Sequence, residues 1–318
     1  MNNFNCRSII FIVILFFFNS IYADNNPNHL TILREDNSSI VYHLSVPKDG
    51  KEYPLIILCE GSYAYGEPIK TVLRLHRMFL RLLEEHNYGL LTLEKWGVDE
   101  DKVDCAVFHK HNTRSQRIKD HQQVLNNLNP QNTPGWNGKY IFIGGSEGGD
   151  IITALTLIYA HSTLATVNFA GIGAWNWEDE LWAFLLHFRK HSSLLTKLYA
   201  WWSGFPKTRE QYNKVVEEVK KNPTHEKWWI GQTHKYMADA FLSKVDWDAF
   251  YNLKIPMLVV MGSLDPAIDS CDEFISKAMS CGMPITCWRL NDVDHAIGNK
   301  RPKIFAESVE WLMKAIEL

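Results

Sequence analysis

The chain has 318 residues, which, with residues 1–23 set aside, suits one α/β enzyme domain carrying an insertion better than two independent domains. Its net charge is only −3 and its longest basic run is Lys300-Arg301-Pro302-Lys303, so nothing in the composition asks for nucleic acid. No low-complexity stretch and no internal repeat appears.

The N-terminus has the pattern of an export signal. Arg7 is its only charge, an apolar core runs from Ile9 to Phe18, and Asn19-Ser-Ile-Tyr-Ala23 leads to the polar Asp24. Roughly 10 continuous apolar residues are too few to span a bilayer comfortably. Residues 1–23 are therefore expected to be a signal peptide, and 24–318 an exported, periplasmic or secreted domain with no stable membrane insertion after cleavage. Ile21 is bulky for the third residue before a cut, so an uncleaved anchor is the alternative. Cys6 precedes the apolar core and is not placed for lipidation at the cut. Five cysteines remain, Cys59, Cys105, Cys271, Cys281 and Cys287. Four can pair, in an order the sequence does not choose.

Strand-like apolar runs then recur along the chain: Leu30 to Arg34, Ser39 to Val46, Pro54 to Cys59, Gly89 to Leu93, Tyr140 to Ile143, Leu164 to Phe169, Pro256 to Met261 and Ile285 to Leu290. Only the first two read as an antiparallel hairpin. Helical patterns alternate with them. Thr71 to His86 carries Val72, Leu75, Phe79 and Leu82 on one face. Thr113 to Leu128 does so more weakly, with Ile118, Val124, Leu125 and Leu128. Ile151, Leu155 and Ile158 mark another helix, and Ile304, Phe305, Val309, Leu312 and Ile316 a terminal one with Pro302 in its first turn. The alternation predicts an α/β fold: a mostly parallel sheet with helices on both faces. It breaks once. Between Ala174 and Leu253 no strand-like run appears, and eight of the twelve tryptophans lie there: 175, 177, 182, 201, 202, 228, 229 and 247. This stretch, about 174–253, is expected to be a helical cap inserted after the sixth strand of the sheet. Most of its aromatics should simply pack it down, with a few left to line an apolar slot.

The run Lys139-Tyr-Ile-Phe-Ile-Gly-Gly-Ser-Glu-Gly-Gly149 places Gly144-x-Ser146-x-Gly148 between a strand and a helix. A serine at the tip of such a turn has its hydroxyl lifted clear of the sheet, and the helix aims free N–H groups at the point where an oxyanion would form. A serine hydroxyl is a weak nucleophile until a base takes its proton, a task for a histidine titrating near pH 6.5, and a carboxylate then fixes the histidine tautomer.

Taken with Val259-Val-Met-Gly-Ser-Leu-Asp265 and Asp292-Val-Asp-His295-Ala-Ile-Gly298, that motif resembles the α/β-hydrolase superfamily, in its chain order of serine, acid, histidine and over most of the mature length. The resemblance implies Ser146 as nucleophile, Asp265 as the orienting acid and His295 as the base. It also implies an oxyanion hole built from the backbone N–H of Glu147 and one at Ser62 or Tyr63. Many relatives have His-Gly at that turn, where this chain has Glu60-Gly61. The Glu94-Lys-Trp-Gly97 strand end and the Arg117-x-x-Asp120 helix look like dienelactone-hydrolase-related and acyl-thioesterase-related members. Asp269 competes with Asp265 as the acid but has a second reading as a helix N-cap, and His76 falls inside a predicted helix.

Other features carry less. Cys59 reads as a small buried apolar residue rather than a nucleophile. His109-Lys-His111 and His187-Phe-Arg-Lys-His191 have ligand-compatible spacing but lack the glutamate of the zinc-protease helix and an adjoining third ligand, and no P-loop lysine follows the glycines. The expectation is a serine hydrolase without metal or other cofactor, acting on a carboxylic ester, thioester or related small-molecule acyl substrate. The alternatives are a serine peptidase of the same fold and a non-catalytic hydrolase-fold binding protein.

Overall fold

The computed structural model describes residues 27–47, 51–62, 72–129, 131, 133–191, 205–297 and 301–316. The expected signal segment, residues 1–23, lies outside them. In chain order the elements begin with β1 (Asn28–Leu33), β2 (Ser39–Ser45), β3 (Tyr53–Cys59), α1 (Val72–Leu82) and β4 (Gly89–Leu93). A two-residue pair follows, β5 (Val98–Asp99) and β6 (Lys102–Val103), then α2 (Cys105–His111), α3 (Arg114–Asn127), β7 (Trp136–Gly145), α4 (Glu147–Ile158) and β8 (Thr163–Phe169). Next come α5 (Trp177–His191), α6 (Arg209–Lys221), the short pair β9 (Trp228–Trp229) and β10 (Gln232–Thr233), α7 (His234–Leu242) and α8 (Trp247–Tyr251). The chain closes with β11 (Met257–Gly262), α9 (Ile268–Ser280), β12 (Ile285–Leu290) and α10 (Arg301–Ile316).

Eight strands form one sheet in the order β1-β2-β4-β3-β7-β8-β11-β12. From β4 to β12 all neighbours are parallel, and β3, β4, β8 and β11 are buried almost throughout, as parallel strands covered on both faces are. β2 is antiparallel to β4 as well as to β1, so antiparallel pairing extends one strand beyond the expected opening hairpin. One face of the sheet packs Ile56, Ile141, Val167 and Leu258 against α1 and α10 through Phe79, Ile304, Val309 and Leu312. The other packs Leu55, Ile57 and Phe142 against α3 and α4 through Val124, Leu125, Ile151 and Leu155. Ile158, expected on the packed stripe of α4, is instead exposed, and Ile152 is buried in its place.

The segment between β8 and β11 builds a small core of its own from Leu185, Tyr212, Val216, Val219, Tyr236, Met237 and Phe241. Trp177, Trp182 and Trp229 pack against it, and Trp247 packs on Phe250, Tyr251 and Phe274. Trp201 and Trp202 lie outside the described residues. The β9–β10 pair is a departure from the expectation of no strand here. Two residues per strand carry no periodicity to read.

Candidate active site

Four parallel strands end at one edge, and the segments after them meet. β7 stops at Gly145 and α4 begins at Glu147, leaving Ser146 alone to turn the chain at φ 52° and ψ −127°. A positive φ is strained for a side chain larger than glycine, and such strain persists only where the surroundings impose it. The flanking glycines show what imposes it. A Cβ on Gly144 would stand 2.3 Å from the carbonyl oxygen of Gly148, and one on Gly148 only 2.2 Å from that of Cys59. Ser146 makes no capping bond to α4 with its side chain. Its Oγ lies 2.9 Å from Nε2 of His295, and Nδ1 of His295 lies 2.8 Å from Oδ2 of Asp265.

The loops that carry Asp265 and His295, after β11 and β12, are laced to each other. The Leu264 N–H donates to the Val293 carbonyl at 2.9 Å and the Asp292 N–H to the Ser263 hydroxyl at 2.9 Å. The other oxygen of Asp265 accepts the Ala267 N–H at 2.9 Å, so both carboxylate oxygens are engaged and the group is almost fully buried. Burial works against a charge on His295, but the hydrogen bond and charge of Asp265 outweigh it and raise its pKa. Asp269 sits in the first turn of α9, whose N-cap is Ala267, so its alternative reading as the N-cap does not hold. Asp265, not Asp269, meets the imidazole.

The turn after β3 lies directly against the serine. A Cβ on Gly61 would stand 3.2 Å from Cβ of Ser146 and 3.8 Å from its Oγ. Ser62 follows, and Tyr63 lies outside the described residues. Glu147 is the first residue of α4, where a backbone N–H has no carbonyl to reach within the helix. Its side chain points away into a buried ionic cluster. Oε1 accepts from Nη1 of Arg117 at 2.5 Å and Oε2 from the Tyr236 hydroxyl. Burial would raise the Glu147 pKa, but Arg117, Arg114 and Lys95 outweigh it and hold the carboxyl below its ordinary range.

No protein-family model matches this chain, and no curated protein does. Solved structures do. A highly thermostable carboxyl esterase from Bacillus coagulans, in complex with glycerol, aligns at TM-score 0.61 and 13% identity over 91% of this chain and 98% of that one. The mouse α/β-hydrolase domain-containing protein 10 aligns at TM-score 0.54 and 13% identity, covering 90% of this chain and 98% of its own. A proposed dipeptidyl aminopeptidase IV from Bacteroides ovatus aligns at TM-score 0.55 and 13% identity over 90% of this chain, which spans only 35% of that longer protein. The chain has the α/β-hydrolase fold. That hydrolase fold places Ser146, Asp265 and His295 after its β7, β11 and β12 strands.

The remaining candidates fall elsewhere. His76 is buried, bonded to the Thr92 and Ser45 hydroxyls at 3.0 and 2.9 Å, and burial pushes its pKa down to about 3. Cys59 lies under the site, but burial pushes its thiol up to about 12, so it stays protonated at neutral pH. All five cysteines of the described residues are free thiols. His187 and His191 stack on each other, His111 on Trp96, and His109 meets Trp228 edge-on. No group of three or more His, Cys, Asp or Glu able to hold a metal occurs among the described residues. Phe184 of α5 is the aromatic side chain that composition does not single out, and its ring meets His295 edge-on at 5.3 Å. Its neighbour Leu185 is in the segment's core while Phe184 and Leu186 are exposed.

Proposed function

We propose that the protein is a serine hydrolase that cleaves a carboxylic ester, thioester or related acyl bond through an acyl-enzyme. The observation that carries this reading is the unbroken relay from the Ser146 hydroxyl to His295 Nε2 and from His295 Nδ1 to Asp265. Neutral His295 takes the Ser146 proton as Oγ attacks the acyl carbon. The tetrahedral oxyanion is stabilised by the N–H groups of Glu147 and Ser62, and the protonated His295 hands its proton to the leaving group as the carbonyl re-forms. Water, activated by the same imidazole, then releases the acid. Asp265 keeps Nδ1 protonated and supports the imidazolium. A binding module would have no use for all three groups in register, and the esterase among the fold neighbours points the same way. The acyl group enters beside Phe184, the ring that faces the base.

The test is labelling with a fluorophosphonate, located by mass spectrometry of the modified peptide. Adduct on Ser146 and turnover of aryl esters, both lost in Ser146→Ala with the fold intact, are expected. A well-folded wild-type protein that neither labels nor turns over any ester or thioester would instead be a binding protein.

A further inference from the structure

Behind the two turns that meet over Ser146 lies a set of charges that the triad chemistry does not use. Lys95 follows β4, and its ammonium donates to Oε1 of Glu60 and to the carbonyl of Gly61, both at 2.7 Å. Arg117 of α3 reaches the same turn from the other side: Nη2 donates to the Glu60 carbonyl at 2.8 Å while Nη1 holds Glu147. Glu60, Lys95, Arg117 and Glu147 are all less than a tenth exposed. Such a network adds little stability over an apolar core of the same volume, because desolvating the ions offsets most of their attraction. Its worth lies in what it orients.

The Gly61 carbonyl and the Ser62 N–H are the two ends of one peptide plane and point in opposite directions. Holding the oxygen therefore fixes the direction of the Ser62 N–H, in a turn whose Gly61 lies against Ser146. An ammonium on the oxygen also draws electron density through the amide and strengthens the N–H as a donor. Arg117 does the complementary task, since one guanidinium ties Glu60, which leads into this turn, to the side chain of Glu147, which follows Ser146. The spacing between the two oxyanion donors is thereby fixed by a single rigid fork. Burial lowers the Lys95 pKa to about 8, with Glu60 pulling the other way, so the charge is present at neutral pH.

We propose that Lys95, backed by Glu60 and Arg117, is a positioning residue that aims and polarises the Gly61–Ser62 peptide as the second oxyanion donor. The inference rests on the serine-hydrolase reading. It is tested with Lys95→Met and with the double variant Glu60→Gln/Lys95→Met, the second avoiding a buried, unpaired carboxylate. In both, kcat for an aryl ester should fall about 100-fold, the scale of losing one oxyanion donor, with KM little changed. Affinity for an aryl trifluoromethyl ketone, which forms an oxyanion on the serine, should fall by the same factor, while the matching secondary alcohol binds as before. Folded variants with wild-type kcat and ketone affinity, or a loss confined to KM, would overturn the proposal. Fluorophosphonate labelling of the wild type separates the two failures. If the wild type does not label, the hydrolase reading and this inference fall together; if it labels and the double variant behaves as wild type, only this inference falls.

Discussion

Asp265 engages both carboxylate oxygens, one with the His295 imidazole and one with the Ala267 N–H, and this decides between the two aspartates that the sequence offers. Asp265→Asn presents an amide that favours the wrong imidazole tautomer and should lower kcat by about 10⁴-fold. Asp269→Ala removes only a favourable charge from the first turn of α9, costing at most about 1 kcal/mol of stability and leaving turnover intact. The pH profile gives an independent reading. His295 must be neutral to act as base, and its pKa is raised, so kcat/KM in the wild type should fall on the acid side with a midpoint above 6.5. Asp265→Asn removes the charge responsible, so its residual activity should hold to lower pH. An unmoved acid limb would mean that another group governs it. Ser146, Asp265 and His295 are legible in the sequence because each lies within five residues of a strand's end, where residue type and chain order can be read together. Lys95 and Arg117 are visible only as parts of weak motifs, since no periodicity says that a charge on a helix or strand end is buried.

The elements that sequence reading recovers best are the central strands, β3, β4, β8, β11 and the second half of β7, whose buried residues are written as largely apolar runs. α3 reads weakly for a physical reason. Besides Val124 and Leu125 it buries Arg114, Arg117, Asp120 and His121, with Arg34 forking onto Asp120 at 2.8 and 2.7 Å, so its inward face is ionic. α2 and the two-residue pairs are too short to carry a signal. α5 is legible as helix but not in its role, because the exposed Phe184 and Leu186 look like ordinary surface residues until the fold brings Phe184 to the imidazole. If α5 forms one wall of the acyl site, Phe184→Ala should keep Ser146 labelling yet flatten the preference among aryl esters of graded acyl length. Selectivity identical to wild type would show that the acyl chain lies elsewhere. The loop that α4 presses on has no such tolerance: Gly148→Ala must displace the Cys59 carbonyl, and loss of soluble protein or a clearly lowered Tm is expected.

Across the whole molecule, two buried histidines outside the Ser146–His295–Asp265 relay couple folding to pH. His76 is fully buried beneath β2 and β4, and His121, about 3% exposed, donates from Nδ1 to the Arg117 carbonyl at 2.7 Å. Burial pushes their pKa values down to about 3 and about 4. Both stay neutral in the folded protein at pH 5, whereas in the unfolded chain a histidine takes up a proton below about 6.5. The unfolded state then binds more protons than the folded one, so this contribution to stability is complete above pH 6.5 and is lost as the pH falls. Between pH 7 and 5 each residue should withdraw about 2 kcal/mol, at 1.36 kcal/mol per pH unit. Glu180 acts in the opposite sense. Burial raises its carboxyl to about 7, so the folded state takes up a proton there first and gains stability as the pH falls. The wild-type slope is therefore a difference of opposed contributions, and a single melting curve does not isolate the histidines. Urea denaturation of wild type and His76→Gln at pH 7 and pH 5 does. The variant should be the less stable at pH 7, having lost the bonds to Thr92 and Ser45, and the gap should shrink by about 2 kcal/mol at pH 5, where the wild type alone carries the penalty of keeping His76 neutral. A gap that stays constant across the two pH values would mean that His76 binds its proton equally in both states, and the acid sensitivity of the fold would then have to be sought in the carboxylates.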